Sequence, residues 1–261
     1  MGKEILGSLE LNRAYQMDCL EGMKLIPDKS IDMILCDLPY GHSKTACKWD
    51  SPIPEEPLWE QYERIIKDNG AIVLFGCQPF TSKLILSNEK LFRYEIVYKK
   101  TKASGFQLAN KMPLKGHENI LVFYKKLPTY NPQKVFVGIK DKRKTFNSPS
   151  QSLNHPLASG KVIRKPDDGW RHPTTVIEFN NANKSKSLHP TQKPVPLFEW
   201  LIKTYTNEGE IVLDSCLGSG TTAVACELNN RKWIGFETES EYIEIINKRL
   251  EQVDLEMEES E

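Results

Sequence analysis

Residues 210–230, EIVLDSCLGSGTTAVACELNN, decide the fold. Ile211 to Leu213 read as a buried strand that ends on an acid, Asp214. Gly218 and Gly220 bracket Ser219 in a turn, and Thr221 and Thr222 open an Ala-rich helix. A strand, a glycine-rich turn and a helix in that order let a ligand lie against bare backbone at the helix N-terminus. The turn alone is a weak sign, because many strand-to-helix turns use glycine. The next strand candidate, KWIGFE, strengthens it by ending on Glu237, where an acid accepts hydrogen bonds from ribose hydroxyls.

The same turn narrows the ligand. A phosphate-cradling loop needs a lysine before its final Ser or Thr, and GSGTT has none. A dinucleotide fold needs a third glycine where this chain continues TTAV. Asp214 repels phosphate and welcomes an ammonium group. A nucleoside with no phosphates and an amino-acid tail fits, and S-adenosylmethionine is that molecule.

Apolar runs bounded by turn signals recur through the chain: AYQM, IDMILCD, AIVLFG, YEIVY and ENILVFY before residue 127, then EIVLDS and KWIGFE. Several are too continuous for strands with one wet face and suit a sheet covered on both sides. Between them lie amphipathic helices. Leu58, Tyr62, Ile65 and Ile66 share a face, with Pro57 opening the helix and Asn69-Gly70 stopping it. Leu197, Leu201 and Tyr205 repeat the scheme, as do Tyr242, Ile246, Leu250 and Val253. This alternation predicts a doubly wound α/β sheet.

Residues 127–186 break the pattern with Pro, Asn, Ser and Lys, and read as an insertion with its own task. The chain's formal charge is zero, yet Lys99 to Lys186 hold 18 Lys or Arg against 5 Asp or Glu. A basic middle on an acidic frame is an electrostatic footprint for nucleic acid, or a solvated lysine face. The six scattered cysteines show no CxxC pair, so neither a disulfide framework nor a metal site is expected. No leader-like start and no apolar run of membrane-spanning length is evident, and a cytoplasmic protein without membrane contact is expected.

A second stretch, CDLPYG at residues 36–41, puts an acid, a proline and an aromatic straight after a buried run. Its DLPY resembles a motif of the DNA amino-methyltransferases, and the resemblance implies that Asp37 accepts one N–H of a nucleobase amine and the Leu38 carbonyl the other, with Pro39 fixing the turn. It implies too that Tyr40 stacks on a base flipped from its helix, a contact worth roughly 1–3 kcal/mol.

Together DSCLGSGTT, GFE, HPTQKP and DLPY resemble the motifs of the DNA amino-methyltransferases, in the order of the beta group. The resemblance runs from about Tyr15 to Leu250. It implies a circularly permuted, Rossmann-like S-adenosylmethionine methyltransferase fold with a mostly parallel seven-stranded sheet. It divides the chain into a catalytic half (1–126), a target-recognition insertion (127–186), a cofactor-binding half (187–253) and an acidic tail (254–261). It places Asp18, Asp37, Asp214, Gly218, Ser219, Gly220, Thr221, Thr222 and Glu237 around the cofactor, with His189, Thr191 and Lys193 on its methionine side. Asp18 reads equally as the N-cap of a following helix. The partner implied is double-stranded DNA, and a homodimer is implied as well.

Asp at the first position of DLPY resembles adenine-N6 enzymes; cytosine-N4 or an RNA base remain open, as does an inactive DNA-binding protein. Leu38 stands where a proline is common, so packing must hold the loop. Ser215-Cys216-Leu217 replaces a common Pro-Phe start. Lys44, Lys48, Lys140, Lys142, Arg143, Lys144, Lys161, Arg164, Lys165 and Arg171 are candidate DNA contacts, and Trp49 lies near the DNA or in the core.

Overall fold

The computed structural model describes residues 3–41, 51–139, 146–148, 162–164, 168–181 and 192–258. A short hairpin, β1 (Ile5–Leu6) and β2 (Leu9–Glu10), precedes β3 (Arg13–Gln16), α1 (Cys19–Lys24) and β4 (Ile31–Cys36). Then come α2 (Glu55–Ile65), β5 (Ile66–Gly76), α3 (Phe80–Ser87), β6 (Phe92–Ser104) and β7 (Lys115–Phe123). Four short strands follow: β8 (Val135–Phe136), β9 (Phe146–Ser148), β10 (Val162–Arg164) and β11 (Trp170–Arg171). The chain continues through β12 (Val176–Phe179), α4 (Val195–Tyr205), β13 (Ile211–Asp214), α5 (Thr221–Glu227), β14 (Lys232–Glu237) and α6 (Ser240–Glu258).

Eight strands form one sheet in the order β12-β6-β7-β5-β4-β13-β14-β3. Only β7 runs against its neighbours; every other pairing in the sheet is parallel. β14, late in the chain, pairs in parallel with β3 near its start, as a permuted chain requires. β4 is buried along its whole length because alternate residues face opposite layers. Ile34 and Cys36 pack with α1, α2 and α3, whereas Met33 and Leu35 pack with α4, α5 and α6.

The sheet holds one strand more than the seven expected. The extra strand is β12, which pairs with β6 in parallel, Val176 opposite Val97. Its sequence, TTVIEF, is short, and its partner lies 79 residues earlier, so nothing local marks it as part of the main sheet. The chain divides into one compact unit of Met1–Asn131 with Thr175–Glu261, and a second of Pro132–Thr174, narrower than the insertion drawn at 127–186. Within the second unit β8 pairs with β11 and β9 with β10, and Phe136 packs on Trp170 at 5.4 Å.

Three further expectations shift. α2 begins at Glu55 and ends at Ile65, before Asn69-Gly70, which falls inside β5 at a register irregularity opposite Ile31 and Met33. α6 runs on to Glu258, taking in most of the segment assigned to a tail. α3, not foreseen, follows β5 and buries Thr81 and Leu84. Among the described residues no helix is long and apolar enough to cross a membrane.

Candidate active site

β4 and β13 are neighbours in the sheet, and chain connections leave them in opposite directions, which is where open α/β sheets bind ligands. β4 runs into Asp37 and β13 ends on Asp214, so two acids stand at one sheet edge. A cavity of about 720 Å³ joins them, extending from Asp18 and Glu237 to Asp37 and Lys193. That size suits a small-molecule cofactor.

The glycine turn forms one wall. Gly218 and Gly220 adopt φ of +52° and +77°, left-handed conformations open to glycine at little cost. At Gly220 a Cβ would also meet Ile246 Cγ1 at 2.8 Å. Asp214 is buried; it accepts the Cys216 N–H at 3.0 Å and a short hydrogen bond from the Thr222 hydroxyl. Burial raises its carboxyl to about 6, against the pull of these donors. Glu237 accepts three backbone N–H groups, from Gly218 and Thr238 at 2.8 Å and from Glu239 at 3.0 Å. Its carboxyl too is raised by burial, which these bonds only partly offset.

A stripe of α6 braces the turn from behind. Tyr242, Ile246 and Arg249 lie at i, i+4 and i+7, on one helical face. Tyr242 lines the cavity, Ile246 packs at Gly220, and buried Arg249 donates to the Ser219 carbonyl at 2.5 Å and to its hydroxyl at 3.3 Å. Ser215, where a proline was the expected residue, bonds the Tyr62 hydroxyl at 2.6 Å and lies 3.2 Å from Cys36 Sγ. Leu217 packs against Gly235, where any Cβ would strike it. Asp18 caps α1, accepting from Leu20 N at 2.8 Å and Glu21 N at 3.3 Å, and also lines the cavity.

The opposite wall is charged. Asp37 Oδ1 accepts the Tyr40 hydroxyl at 2.8 Å, and Oδ2 takes a short ion pair from Lys193. Lys193 Nζ also lies 3.4 Å from Glu118 Oε2 and 5.0 Å from the centre of the Phe75 ring. Glu118 Oε1 pairs with Lys100 at 2.5 Å, while Oε2 is buried without a hydrogen bond. Burial works against the charge on Lys193, but Asp37 and then Glu118 outweigh it and hold the ammonium above the usual lysine range. Burial likewise opposes Glu118, yet Lys193 and Lys100 hold it below the usual carboxylate range. Burial and then Asp37 push the Tyr40 phenol well up, so it keeps its proton and donates.

The DLPY loop is held as its composition requires. Leu38 is buried in the core cluster beside Ile34 and Cys36, supplying by packing the restraint that a proline would supply through φ. Tyr40 rests against Phe80 of α3, ring centres 5.0 Å apart, an aromatic partner that the sequence reading missed. Glu118, Lys100, Tyr98 and Phe198 also line the cavity and were not foreseen. For Glu118 the sign was present: ENILVFY opens on an acid as IDMILCD closes on one.

Lys193, expected on the cofactor's methionine side, lines the cavity and contacts Asp37 and Glu118. His189, Thr191, Lys44, Lys48, Trp49, Lys140, Lys142, Arg143, Lys144, Lys161 and Lys165 lie outside the described residues, as does the side chain of Arg164. Arg171 is half-buried in β11 and donates to the Trp170 carbonyl at 3.1 Å.

A family model described as DNA methylase, of the N6/N4 methyltransferase type, matches residues 31–248. The chain belongs to this family. The DNA adenine methyltransferase YhdJ of Escherichia coli is 31% identical over 256 residues, 90% of this chain and 81% of that protein. The Type II methyltransferase M.HpaI of Haemophilus parainfluenzae is 30% identical, over 90% of this chain and 72% of its own length. Among solved structures, the M1.HpyAVI–SAM complex aligns with a TM-score of 0.62 at 25% identity, covering 91% of this chain and 98% of that one. The cytosine-N4-specific PvuII DNA methyltransferase shares the fold, with a TM-score of 0.65 at 18% identity, covering 90% and 85%.

This DNA methylase is an S-adenosylmethionine-dependent enzyme acting on an exocyclic amine of adenine or cytosine. The cavity fits that cofactor: at Gly218 the space where a side chain would stand is open, and Glu237 and Asp214 offer carboxylates for hydroxyls and an ammonium.

Proposed function

We propose that this methylase acts on the N6 amine of adenine in duplex DNA. The observation that carries the proposal is an aspartate, Asp37, as the strand-end acid, its carboxylate half-buried in the same cavity as the glycine turn. An adenine amine offers two N–H groups, and its lone pair is delocalised into the ring. Asp37 accepts one N–H and the Leu38 carbonyl the other, which fixes the nitrogen and directs its lone pair toward the cofactor side. S-adenosylmethionine, when bound, supplies an electrophilic methyl group. Glu237 holds the ribose hydroxyls, Asp214 and the turn from Gly218 to Thr222 hold the remainder, and Asp18 flanks the adenine end.

Tyr40 stacks on the flipped base, its ring backed by Phe80 and its hydroxyl fixing Asp37. The basic stretch through Lys140, Lys142, Arg143, Lys144, Lys161, Arg164, Lys165 and Arg171 contacts DNA phosphates or reads bases, joined by Lys44 and Lys48 beyond DLPY. YhdJ, named a DNA adenine methyltransferase, supports adenine as the acceptor.

The deciding experiment incubates unmodified duplex DNA with methyl-tritiated S-adenosylmethionine, digests the product and separates the nucleosides. Label in N6-methyladenosine's deoxy form is expected. Label only in N4-methylcytosine, or only when RNA is supplied, overturns the assignment.

A further inference from the structure

Both oxygens of Asp37 are engaged before any substrate arrives: Oδ1 by the Tyr40 hydroxyl and Oδ2 by Lys193. An amine that donates to this carboxylate must share an oxygen with one of them, each oxygen having two lone pairs. Lys193 is the poorer neighbour for the reaction. It competes for the acceptor oxygen, and as the amine nitrogen is alkylated it acquires positive charge, which a lysine at hydrogen-bond distance from the same carboxylate repels.

Lys193 has somewhere to go. Glu118 Oε2 is buried, makes no hydrogen bond, and lies 3.4 Å from the ammonium. A buried carboxylate oxygen without a donor is costly, and a small movement of Nζ satisfies it. Glu118 stands in β7 opposite Tyr98 of β6, one residue before the β5 pairing begins at Asn119, so its backbone is anchored in the sheet. Lys100 already occupies its other oxygen, which leaves Oε2, held so far only by the longer ion pair with Lys193, as the side to receive it.

Building on the role given to Asp37, we infer that Glu118 is a positioning residue: it takes Lys193 from Asp37 when the target amine enters. Without substrate, Lys193 holds the Asp37 side chain in place through their ion pair. With substrate, the ammonium passes to Glu118 Oε2, Asp37 Oδ2 accepts the amine N–H, and the cation lies one step further from the reacting nitrogen. No bond to carbon is made or broken in the exchange, and the number of buried charges is unchanged.

The test is a double-mutant cycle on methyl transfer with Glu118→Gln and Lys193→Met. Glu118→Gln keeps the shape but leaves Lys193 with Asp37 as its nearer anion. The expected result is a fall in kcat of roughly tenfold to a hundredfold, the span of coupling within one buried network. The dissociation constants for cofactor and DNA, and the thermal midpoint, are measured beside it and stay near those of the parent. In the Lys193→Met background Asp37 is already released from the lysine, so adding Glu118→Gln lowers kcat by less than about threefold, as for uncoupled sites. Equal losses in both backgrounds, or no loss in the parent background, overturn the inference. Absence of methylated adenine and cytosine with the parent protein would instead undo the reading of the site itself.

Discussion

The two walls of the cavity are built on opposite principles. The cofactor wall is assembled from backbone: left-handed glycines, three N–H groups on Glu237, and a helix stripe that braces the turn. The acceptor wall is assembled from side-chain charge: Asp37, Lys193, Glu118 and Lys100 pair among themselves. The first can receive its ligand without rearrangement. With the exchange proposed above, the second changes partners, and the energetic cost of the reaction cycle concentrates there.

The sharpest way to separate the walls is Asp37→Ala. It removes the acceptor of the amine and leaves the glycine turn untouched. Methyl transfer is expected to drop by about 10²–10³-fold or more, as when one preorganised polar contact to the reacting group is deleted. Cofactor affinity, followed by equilibrium titration, is expected to stay close to the parent value, and a parallel loss of cofactor binding would merge the two walls into one unit.

Asp214 gives a pH test of the cofactor wall alone. Its folded carboxyl sits at about 6, above the ordinary 3.8, because it is buried. The folded protein therefore holds a proton that the unfolded chain has released between those values. The contribution of this group to stability is greatest below about pH 4 and is lost as pH rises through 6, a total of about 3 kcal/mol. Denaturant titrations of the ligand-free protein at pH 5 and pH 7 measure the slope. Asp214→Asn is expected to flatten it, and an unchanged slope would assign the titration to another group. Cofactor binding should move the other way, weakening as Asp214 takes up its proton, since an ammonium group favours the ionised form.

Glu237→Gln is the mildest cut. The amide keeps one acceptor for the backbone N–H groups but loses the charge that strengthens those bonds and the ribose contacts. Cofactor affinity is expected to weaken about tenfold with kcat at saturation little changed. A fall in kcat without a change in affinity would place Glu237 in the acceptor wall.

These contrasts also explain what could be read from sequence. Gly218, Gly220 and Glu237 were legible because local chain geometry demands those residue types at that spacing. Asp37 was legible because an acid at the end of a continuous apolar run is conspicuous. Glu118 was not, although it stands at the head of such a run, since its meaning depends on a lysine 75 positions later. Lys193 was seen, but its partners could not be, because buried charges are paired by tertiary folding rather than by spacing. Nothing in NKRLEQV singles out Arg249, which is turned inward only by the packing of α6 on the turn. The eighth strand and α3 were lost for a different reason: each is short, and its pairing or packing lies elsewhere in the chain.

The stripe of α6 has a thermodynamic corollary. Ile246 and Arg249 hold the backbone of the glycine turn before any ligand arrives, so the ordering cost of that loop is met during folding. Calorimetry of cofactor binding should then show little of the large unfavourable entropy that accompanies loop closure. Loosening α6 would make the same binding enthalpically similar but entropically poorer, a helix acting on affinity without touching the ligand.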